Sequence, residues 1–354
     1  MQQLIIADIR SRNAGGNLEG HYFSVASNYQ YMYEGKFDVK VAGGPIYYNR
    51  YTKMVRLKYD TLENGSHLGN KIKMLLNGFR VLKADEGAKI VFQFSGVFTA
   101  YICLALHPNK HNVYMIQYDA SSINSRLKKI VYSLIKNKVK GIICPVDEIG
   151  RKFGIPYCTV PDYIYCHLNR AANCDMSQGL STQQFDLGIY GMLAVGKGIW
   201  EAACFFAGTE YSLMIAGKTS SDPEDSKMVE RLVELAQNYP NVHLDLRYLS
   251  DETYNAYIRS TKYIVLNYSE TYALRSSGVI WDSLFNERPV IAKNRRFVEF
   301  VKEEQLGKAY DNLSELNLEE LMRGPVYNSY LDNIKNYLRK HDHYANKLYD
   351  FLCM

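Results

Sequence analysis

The seven cysteines include no C-x-x-C pair, and their number is odd. That argues against a zinc ribbon and a disulfide framework and fits thiols kept reduced in a cytoplasm. Cys158, Cys166 and Cys174 recur at every eighth residue, but metal ligands come in tighter pairs, so the spacing is read as chance. Long apolar runs are also missing. The longest uncharged one, Val97 to Leu106, is half of the roughly 20 residues that a membrane-spanning helix requires. Asp8 and Arg10 interrupt the apolar start at Leu4, Ile5 and Ile6, which leaves no secretory core. There is no D-x-D triplet, which weakens a metal-held sugar nucleotide of the single-domain type. No G-x-G-x-x-G follows Asp8, so the nicotinamide or flavin fingerprint is missing. Neither sign of charge dominates: 42 basic and 37 acidic residues leave +5. That is too mild for a dedicated nucleic-acid binder, yet compatible with an anionic ligand or membrane surface.

What is present is an ordinary globular composition, 47% apolar and 22% charged over 354 residues, enough for two domains. Short apolar runs alternate with helical patterns in two blocks. In the first, strands are read at Gln3 to Asp8, Phe37 to Ala42, Ala88 to Phe94, Asn112 to Gln117 and Gly141 to Cys144. Between them, Ile72, Leu75, Leu76, Phe79 and Leu82 keep helical spacing, Val97 to Leu106 reads as a buried helix, and Ser122 to Lys140 as an amphipathic one. The polar, aperiodic stretch from His167 to Gln184 reads as a linker. The second block repeats the alternation, with strands at Asp186 to Tyr190, Tyr211 to Ala216, Val242 to Leu246, Tyr263 to Leu266 and Pro289 to Ala292. Pro223 and Ser250 mark helix starts. The expected organisation is α/β: a doubly wound domain over 1–166, a linker over 167–185, a second doubly wound domain over 186–330, and a helical tail over 331–354 that packs back toward the first. Two such domains face each other across a cleft, which suits a nucleotide-containing substrate and a second molecule.

Several short motifs bear on chemistry. Ala216-Gly-Lys-Thr219 imitates the end of a P-loop, but the glycine needed five residues earlier is Ser212, and a plain turn is the better reading. His341 and His343 are two apart on a helical tail and do not face one point. Lys197-Gly198 lies between a strand and its helix, with Gly191 and Gly196 close by, where a lysine beside free amides can neutralise a diphosphate. The stretch from Asn267 to Ala292 is the most informative. It runs strand, polar loop, a helix start at Ser276, Ser277 and Gly278, then Asp282 one turn in. Small residues let amides approach a phosphate, Arg275 offers a fork for its oxygens, and Asp282 can accept from ribose hydroxyls. N-capping by Ser276 and Ser277 and a dipole-favoured acid at Asp282 explain the same residues without a ligand.

The arrangement resembles the two-domain GT-B glycosyltransferases, and in particular the bacterial retaining enzymes classed as family 4. Gly15-Gly16 matches that group's glycine pair after the first strand, and Lys197-Gly198 its Lys-Gly pair, although Met192 stands where the family has arginine. Counting back from Pro289-Val290, the second acid of the family's Glu-x7-Glu motif falls on Asp282 and the first on Leu274. Glu270 is the nearest acid able to replace it. In place of the family's histidine after the strand ending at Gln117 stand Tyr118 and Asp119.

The resemblance implies a GT-B fold and sugar transfer from a nucleoside-diphosphate donor to a saccharide or lipid-linked acceptor in cell-surface polysaccharide synthesis. It implies a cytoplasmic enzyme, peripheral at the membrane, with no metal and no cofactor beyond the sugar-nucleotide substrate. Gly15, Gly16, Lys197, Arg275, Ser276, Ser277, Gly278 and Asp282 would hold the donor, and Asp119 and Glu270 would act at the reaction centre. Two other readings stand beside it: a non-catalytic glycosyltransferase-like subunit, and a sugar-nucleotide epimerase on the same fold.

The segment 122–140 carries Arg126, Lys128, Lys129, Lys136, Lys138 and Lys140, with no acid between Asp119 and Asp147. Its apolar stripe of Ile123, Leu127, Ile130, Val131, Leu134 and Ile135 suits either an anionic membrane surface or the chain's own sheet. Tyr47, Tyr48 and Tyr51, interleaved with Arg50 and Lys53, suit an acceptor groove or reflect a general richness in tyrosine, 30 in all. No RNA-binding signature accompanies them, so nucleic acid is not an expected partner.

Overall fold

Leu4, Ile5 and Ile6 are completely buried in succession, as in a strand covered on both faces. The computed structural model, which describes residues 1–14, 17–18, 21–62, 65–84, 87–108, 112–160, 184–220, 222–272, 277–339 and 342–354, places them at the centre of a parallel sheet. The chain divides into two units, Met1–Cys166 with Asp342–Met354, and His167–His341.

The first unit contains strands β1 (Gln3–Ala7), β2 (Asp38–Gly43), β3 (Met54–Arg56), β4 (Lys89–Phe92), β5 (Asn112–Ile116), β6 (Val139–Cys144) and β7 (Tyr157–Thr159). They form one sheet in the order β7-β6-β5-β4-β1-β2-β3, parallel throughout, with Leu4 opposite Val39 on one side and Lys89 on the other. The order runs outward in both directions from β1, so right-handed crossovers deliver helices to both faces. Helix α1 (His21–Met32) lies on one face. Helices α2 (His67–Val81), α3 (Val97–Leu106), α4 (Arg126–Ile135) and α5 (Asp147–Phe153) lie on the other and share one core with Ile5, Ile90 and Phe92.

The stretch read as one helix from 122 to 140 is shorter. Helix α4 is flanked by 3-10 turns at Ser121–Ile123 and Lys136–Lys138, and β6 already begins at Val139, paired to Val113. Sheet pairing of a β-branched residue overrides a helical period there. Its apolar stripe also splits. Tyr132 and Ile135 are buried, whereas Leu127, Ile130 and Leu134 are exposed.

The second unit contains β8 (Phe185–Tyr190), β9 (Leu213–Ala216), β10 (Val242–Asp245), β11 (Thr261–Leu266), β12 (Val290–Lys293) and β13 (Gly307–Tyr310), again all parallel, in the order β10-β9-β8-β11-β12-β13. Helices α6 (Ile199–Phe206), α7 (Pro223–Asn238), α8 (Asp251–Arg259), α9 (Gly278–Phe285), α10 (Glu299–Glu303), α11 (Leu318–Met322) and α12 (Gly324–Arg339) connect or follow them. The reversal of strand order at β8 and β11 is the switch point at which such sheets bind ligands. The starts of α7 and α8 follow their sequence signals. Asp222 accepts from the Glu224 amide at 2.9 Å and Ser250 from the Thr253 amide at 3.2 Å.

Helix α12 stays with the second unit, where Tyr337 stacks on Phe300 and Trp281. Only the last helix, α13 (Asp342–Cys353), joins the first. There Tyr33 donates to the Ala345 carbonyl and Tyr114 to that of Leu352, each at 3.1 Å, and Leu348, Phe351 and Leu352 enter the core beside α1. The expected linker 167–185 lies almost wholly outside the described residues.

Candidate functional site

At the C-terminal end of β8 the chain turns through Gly191 (φ +96°) and runs to a 3-10 turn, Val195–Lys197. Gly198 then starts α6 in the left-handed region, at φ +61°. This loop is clamped to the one that follows β11. The Ser269 amide and hydroxyl both donate to the Gly196 carbonyl, at 3.0 and 2.8 Å, and Asn267 donates its side-chain amide to the Gly198 carbonyl at 2.9 Å. Asn267 is held in turn by the Tyr310 hydroxyl, at 2.9 Å. The approach is close enough that a Cβ on Gly198 would stand 2.1 Å from the Asn267 carbonyl oxygen.

Lys197 points into this junction. Its Nζ lies 5.7 Å from the centre of the Tyr268 ring. A Cβ on Gly191 would sit 3.6 Å from that Nζ and 3.5 Å from Cγ2 of Val279, in the first turn of α9. Tyr268 shares a 2.9 Å hydrogen bond with the hydroxyl of Ser277. Lysine, Tyr268 and the start of α9 are therefore one cluster. Desolvation pushes the Lys197 ammonium down to about 8, against the opposing attraction of Asp225. Asp225 itself is buried and accepts from the Val195 amide at 2.8 Å and from the Ser220 hydroxyl at 2.5 Å, so it braces the loop from α7.

Two helices start beside this lysine without a side-chain cap. Gly198 has no side chain to offer α6. At α9 the Ser277 hydroxyl is engaged by Tyr268 rather than by the helix, which corrects the capping reading of this residue. First-turn amides left in this way are suited to an anion. Asp282, one turn into α9, accepts from the Tyr254 hydroxyl of α8 at 2.9 Å. Tyr254, half-buried, stands edge-on to Tyr190, and desolvation together with the neighbouring carboxylate holds its hydroxyl protonated far above the ordinary tyrosine range.

Of the residues read from sequence, Lys197, Ser277, Gly278 and Asp282 fall in this neighbourhood of the second unit. Glu270 opens a 3-10 turn, Glu270–Tyr272, in the same clamped loop, 80% exposed. Asp119 belongs to the first unit, after β5, and accepts from the Ser121 amide at 2.6 Å in a local turn. Gly15, Gly16, Arg275 and Ser276 lie outside the described residues. The P-loop imitation is resolved by packing. Gly217 has φ +148°, and a Cβ there would stand 1.8 Å from the Gly191 carbonyl oxygen, so the glycine permits a backbone contact, and the next helix waits until Pro223.

Sequence reasoning missed Arg295. Its guanidinium is nearly buried, donates to the Tyr268 carbonyl at 2.8 Å and to that of Asn294 at 2.8 Å, and pairs with Glu270 at 2.8 Å. No local motif announces a residue that acts 25 positions away from its partner. Its loss should loosen the loop. Arg295→Met is expected to lower stability by about 2–3 kcal/mol, since two carbonyls and an acid lose a charged donor. Glu270→Gln should cost under about 1 kcal/mol, because that end of the pair is solvated. Urea midpoints of the two variants check this, and equal losses would contradict the geometry.

No family profile matches the sequence, and no curated protein resembles it closely enough to register. Solved structures do. An α,α-trehalose-phosphate synthase (UDP-forming) from Burkholderia vietnamiensis aligns with 99% of this chain and 97% of its own at 9% identity and a TM-score of 0.69. HepE of Anabaena, in complex with UDP, aligns over 100% of both chains at 11% identity and 0.66. A sucrose-phosphate synthase from Thermosynechococcus elongatus aligns over 99% and 98% at 13% identity and 0.67.

The fold is GT-B. Identities this low show the architecture alone, and within it the clamped loops after β8 and β11 belong to the second of the two Rossmann-like domains.

Proposed function

We propose that this GT-B chain is a glycosyltransferase that holds a nucleoside-diphosphate sugar on its second domain and passes the sugar to a saccharide or lipid-linked acceptor. The single observation that carries the reading is the desolvated Lys197 beside two uncapped helix starts, α6 and α9. A half-buried ammonium with its proton weakly held, next to first-turn amides that carry no side-chain cap, is a site that a diphosphate would complete. As the glycosidic bond breaks, negative charge moves onto the leaving diphosphate. Lys197 and those amides offset it without rearrangement.

Asp282 would hold the ribose, with Tyr254 fixing its carboxylate. Glu270 would meet the sugar, and Arg295 sets where its loop stands. Arg275, Ser276, Gly15 and Gly16 are proposed donor contacts, and Asp119 a carboxylate toward the acceptor. The lysine and arginine make a metal unnecessary in this scheme. Hexosyl transfer in cell-surface polysaccharide synthesis, on the cytoplasmic face of a membrane, is the proposed setting.

The test is a thermal-shift screen against UDP, GDP and CDP and their sugars, followed by hydrolysis of labelled donors. Uridine nucleotides come first, because UDP occupies HepE and UDP-2-fluoro glucose an E. coli structure of the trehalose-6-phosphate group (8% identity, TM-score 0.67). At 100 times its dissociation constant a ligand should stabilise the chain by about 2.7 kcal/mol. No shift with any nucleotide would end the donor-site reading. A shift without donor turnover in the presence of acceptors would favour a non-catalytic subunit, and release of free sugar epimer would favour an epimerase.

A further inference from the structure

Phe94 and Tyr118 stand just beyond the carboxyl ends of β4 and β5, which are neighbours in the first sheet. Their ring centres are 5.5 Å apart, with the planes tilted by 51°, and both rings are half-buried. β4 lies beside β1, where the strand order reverses, so the pair occupies the end of this sheet at which doubly wound domains take ligands. Rings at a sheet's rim commonly serve only as a seal. The surroundings of this pair distinguish it.

The turn that carries Tyr118 is held rigid. Gln117 donates its side-chain amide to the Tyr101 hydroxyl at 3.0 Å and accepts from the Ser122 hydroxyl at 3.1 Å, and Tyr101 and Ser122 share a third bond at 3.0 Å. All three residues are buried, so the ring of bonds fixes the turn from within. From α4, Lys128 donates to the Ser121 carbonyl at 2.7 Å and to the Asn124 side-chain oxygen at 3.1 Å. Asp119, half-buried on the same turn, accepts from the Ser121 amide through Oδ1, while its Oδ2 has no partner among the described residues. An open acceptor on a fixed turn, next to two rings, is a positioned group.

The charge at this end of the sheet is mostly negative. The four residues after each of β1, β4, β5 and β6 include the acids Asp8, Asp119, Asp147 and Glu148 and a single base, Arg10. Arg10 acts on the buried carboxyl of Asp8, and Lys128 is engaged by the turn. We infer that Phe94 and Tyr118 form a stacking platform for the terminal pyranose of a neutral saccharide, and that Asp119 accepts from one of its hydroxyls. The axial C–H bonds of an all-equatorial pyranose make an apolar, weakly positive face, which meets the negative face of an aromatic ring. The hydroxyls then lie around the ring edge, within reach of a carboxylate. A sugar phosphate or a prenyl phosphate brings an anion to a surface where acids outnumber bases. The inference rests on the sugar-transfer reading for the saccharide's role as acceptor, and it narrows that acceptor to an uncharged sugar end.

The experiment is saturation-transfer NMR of the full chain with methyl β-glucoside and with cellobiose, each with and without UDP. Binding should be on the order of millimolar, with saturation strongest at the axial protons of one ring face. Phe94→Leu and Tyr118→Leu should each weaken it by about five- to tenfold, whereas Tyr118→Phe, which keeps the ring, should stay within about twofold. Asp119→Asn, which keeps the turn's acceptor for the Ser121 amide, should weaken it by about threefold or more. Melting temperatures are recorded alongside, and if Tyr118→Leu does not fold, Phe94→Leu and Asp119→Asn carry the test. Glucose-6-phosphate and geranyl phosphate should compete poorly. Absence of saccharide binding both with and without UDP overturns the inference. So does equal binding by the leucine variants and the parent, or tighter binding of either phosphate. A UDP-induced thermal shift without saccharide binding would sink the platform and leave the donor site standing. Saccharide binding of the stated pattern without any nucleotide shift would do the reverse.

Discussion

Lys197→Met is expected to remove most of the UDP-induced thermal shift and, in the same protein without ligand, to raise the melting temperature at pH 7. The two effects have one cause. Desolvation brings the Lys197 pKa to about 8, from an ordinary 10.5, so the folded chain carries at pH 7 an ammonium that would be better solvated in the unfolded state. Methionine fills the same space without that charge. With the side chain still in partial contact with water, the gain should be on the order of 1–2 kcal/mol rather than the full shift. The sign sets the pH window. The unfolded state binds more protons between about 8 and 10.5, so the parent gains stability as pH rises through that range and the variant does not. The advantage of methionine should be complete below pH 8 and gone above about 10.5.

Donor binding runs the other way. A diphosphate favours the charged lysine, so UDP affinity should weaken as pH rises past about 8, and binding there should take up a proton. Calorimetry in two buffers of different ionisation enthalpy measures that uptake directly. The lost charge-assisted contacts should cost about 2–3 kcal/mol of binding, roughly 30- to 150-fold in affinity. A Lys197→Met protein that binds UDP as the parent does would place the diphosphate elsewhere.

Gly198→Ala should be among the most damaging single methyl groups in the second domain's loops. Two terms add. The residue sits at φ +61°, where an L side chain costs about 1 kcal/mol. Its Cβ would also stand 2.1 Å from the Asn267 carbonyl oxygen, which is backbone and cannot swing aside. The loops after β8 and β11 must then separate, which removes the Asn267 to Gly198 hydrogen bond and displaces Lys197. A loss of about 3–4 kcal/mol is expected, near 10 °C in melting temperature, together with loss of UDP binding. Gly35 is the control. It has φ +79° but nothing within 4 Å of its Cβ, so Gly35→Ala should lose only the conformational part, about 1 kcal/mol. Equal losses at the two positions would mean that the clamp between the loops is not rigid.

How far the sequence could be read depended on whether the relevant force was local. Strands such as Leu213–Ala216 and helices such as Pro223–Asn238 are announced by apolar runs, a proline at the first turn and an acid before it, and they lie where those signals put them. Helix α5 was overlooked although its signals are equally local, with Asp147 and Glu148 in the first turn and Gly154 left-handed at the end. Its seven residues are too few for a period to emerge. The split stripe of α4 was not legible. Leu127 and Ile135 carry the same hydrophobic signal, and only the position of the sheet decides which of them it covers.

The candidate site divides in the same way. Lys197, Gly198, Ser277 and Asp282 were nameable because small residues and a cation at a strand-to-helix turn have a local reason to be there. Ser277 also had an equally local reason to be a cap, and Tyr268 decided otherwise. Arg295, Asp225 and Tyr254 carry no mark in the sequence, because each acts through a partner distant along the chain.

By itself, then, the sequence determined the alternation of strands and helices, the two doubly wound domains and the positions of the loops after β8 and β11, since periodicity, chirality and turn chemistry are properties of neighbouring residues. The tertiary structure alone decided that those two loops share a backbone contact, that the lysine between them is partly desolvated, and that two stripes of leucine and isoleucine on the other domain face outward. Desolvation and burial belong to no residue individually. They arise from what the fold brings against it.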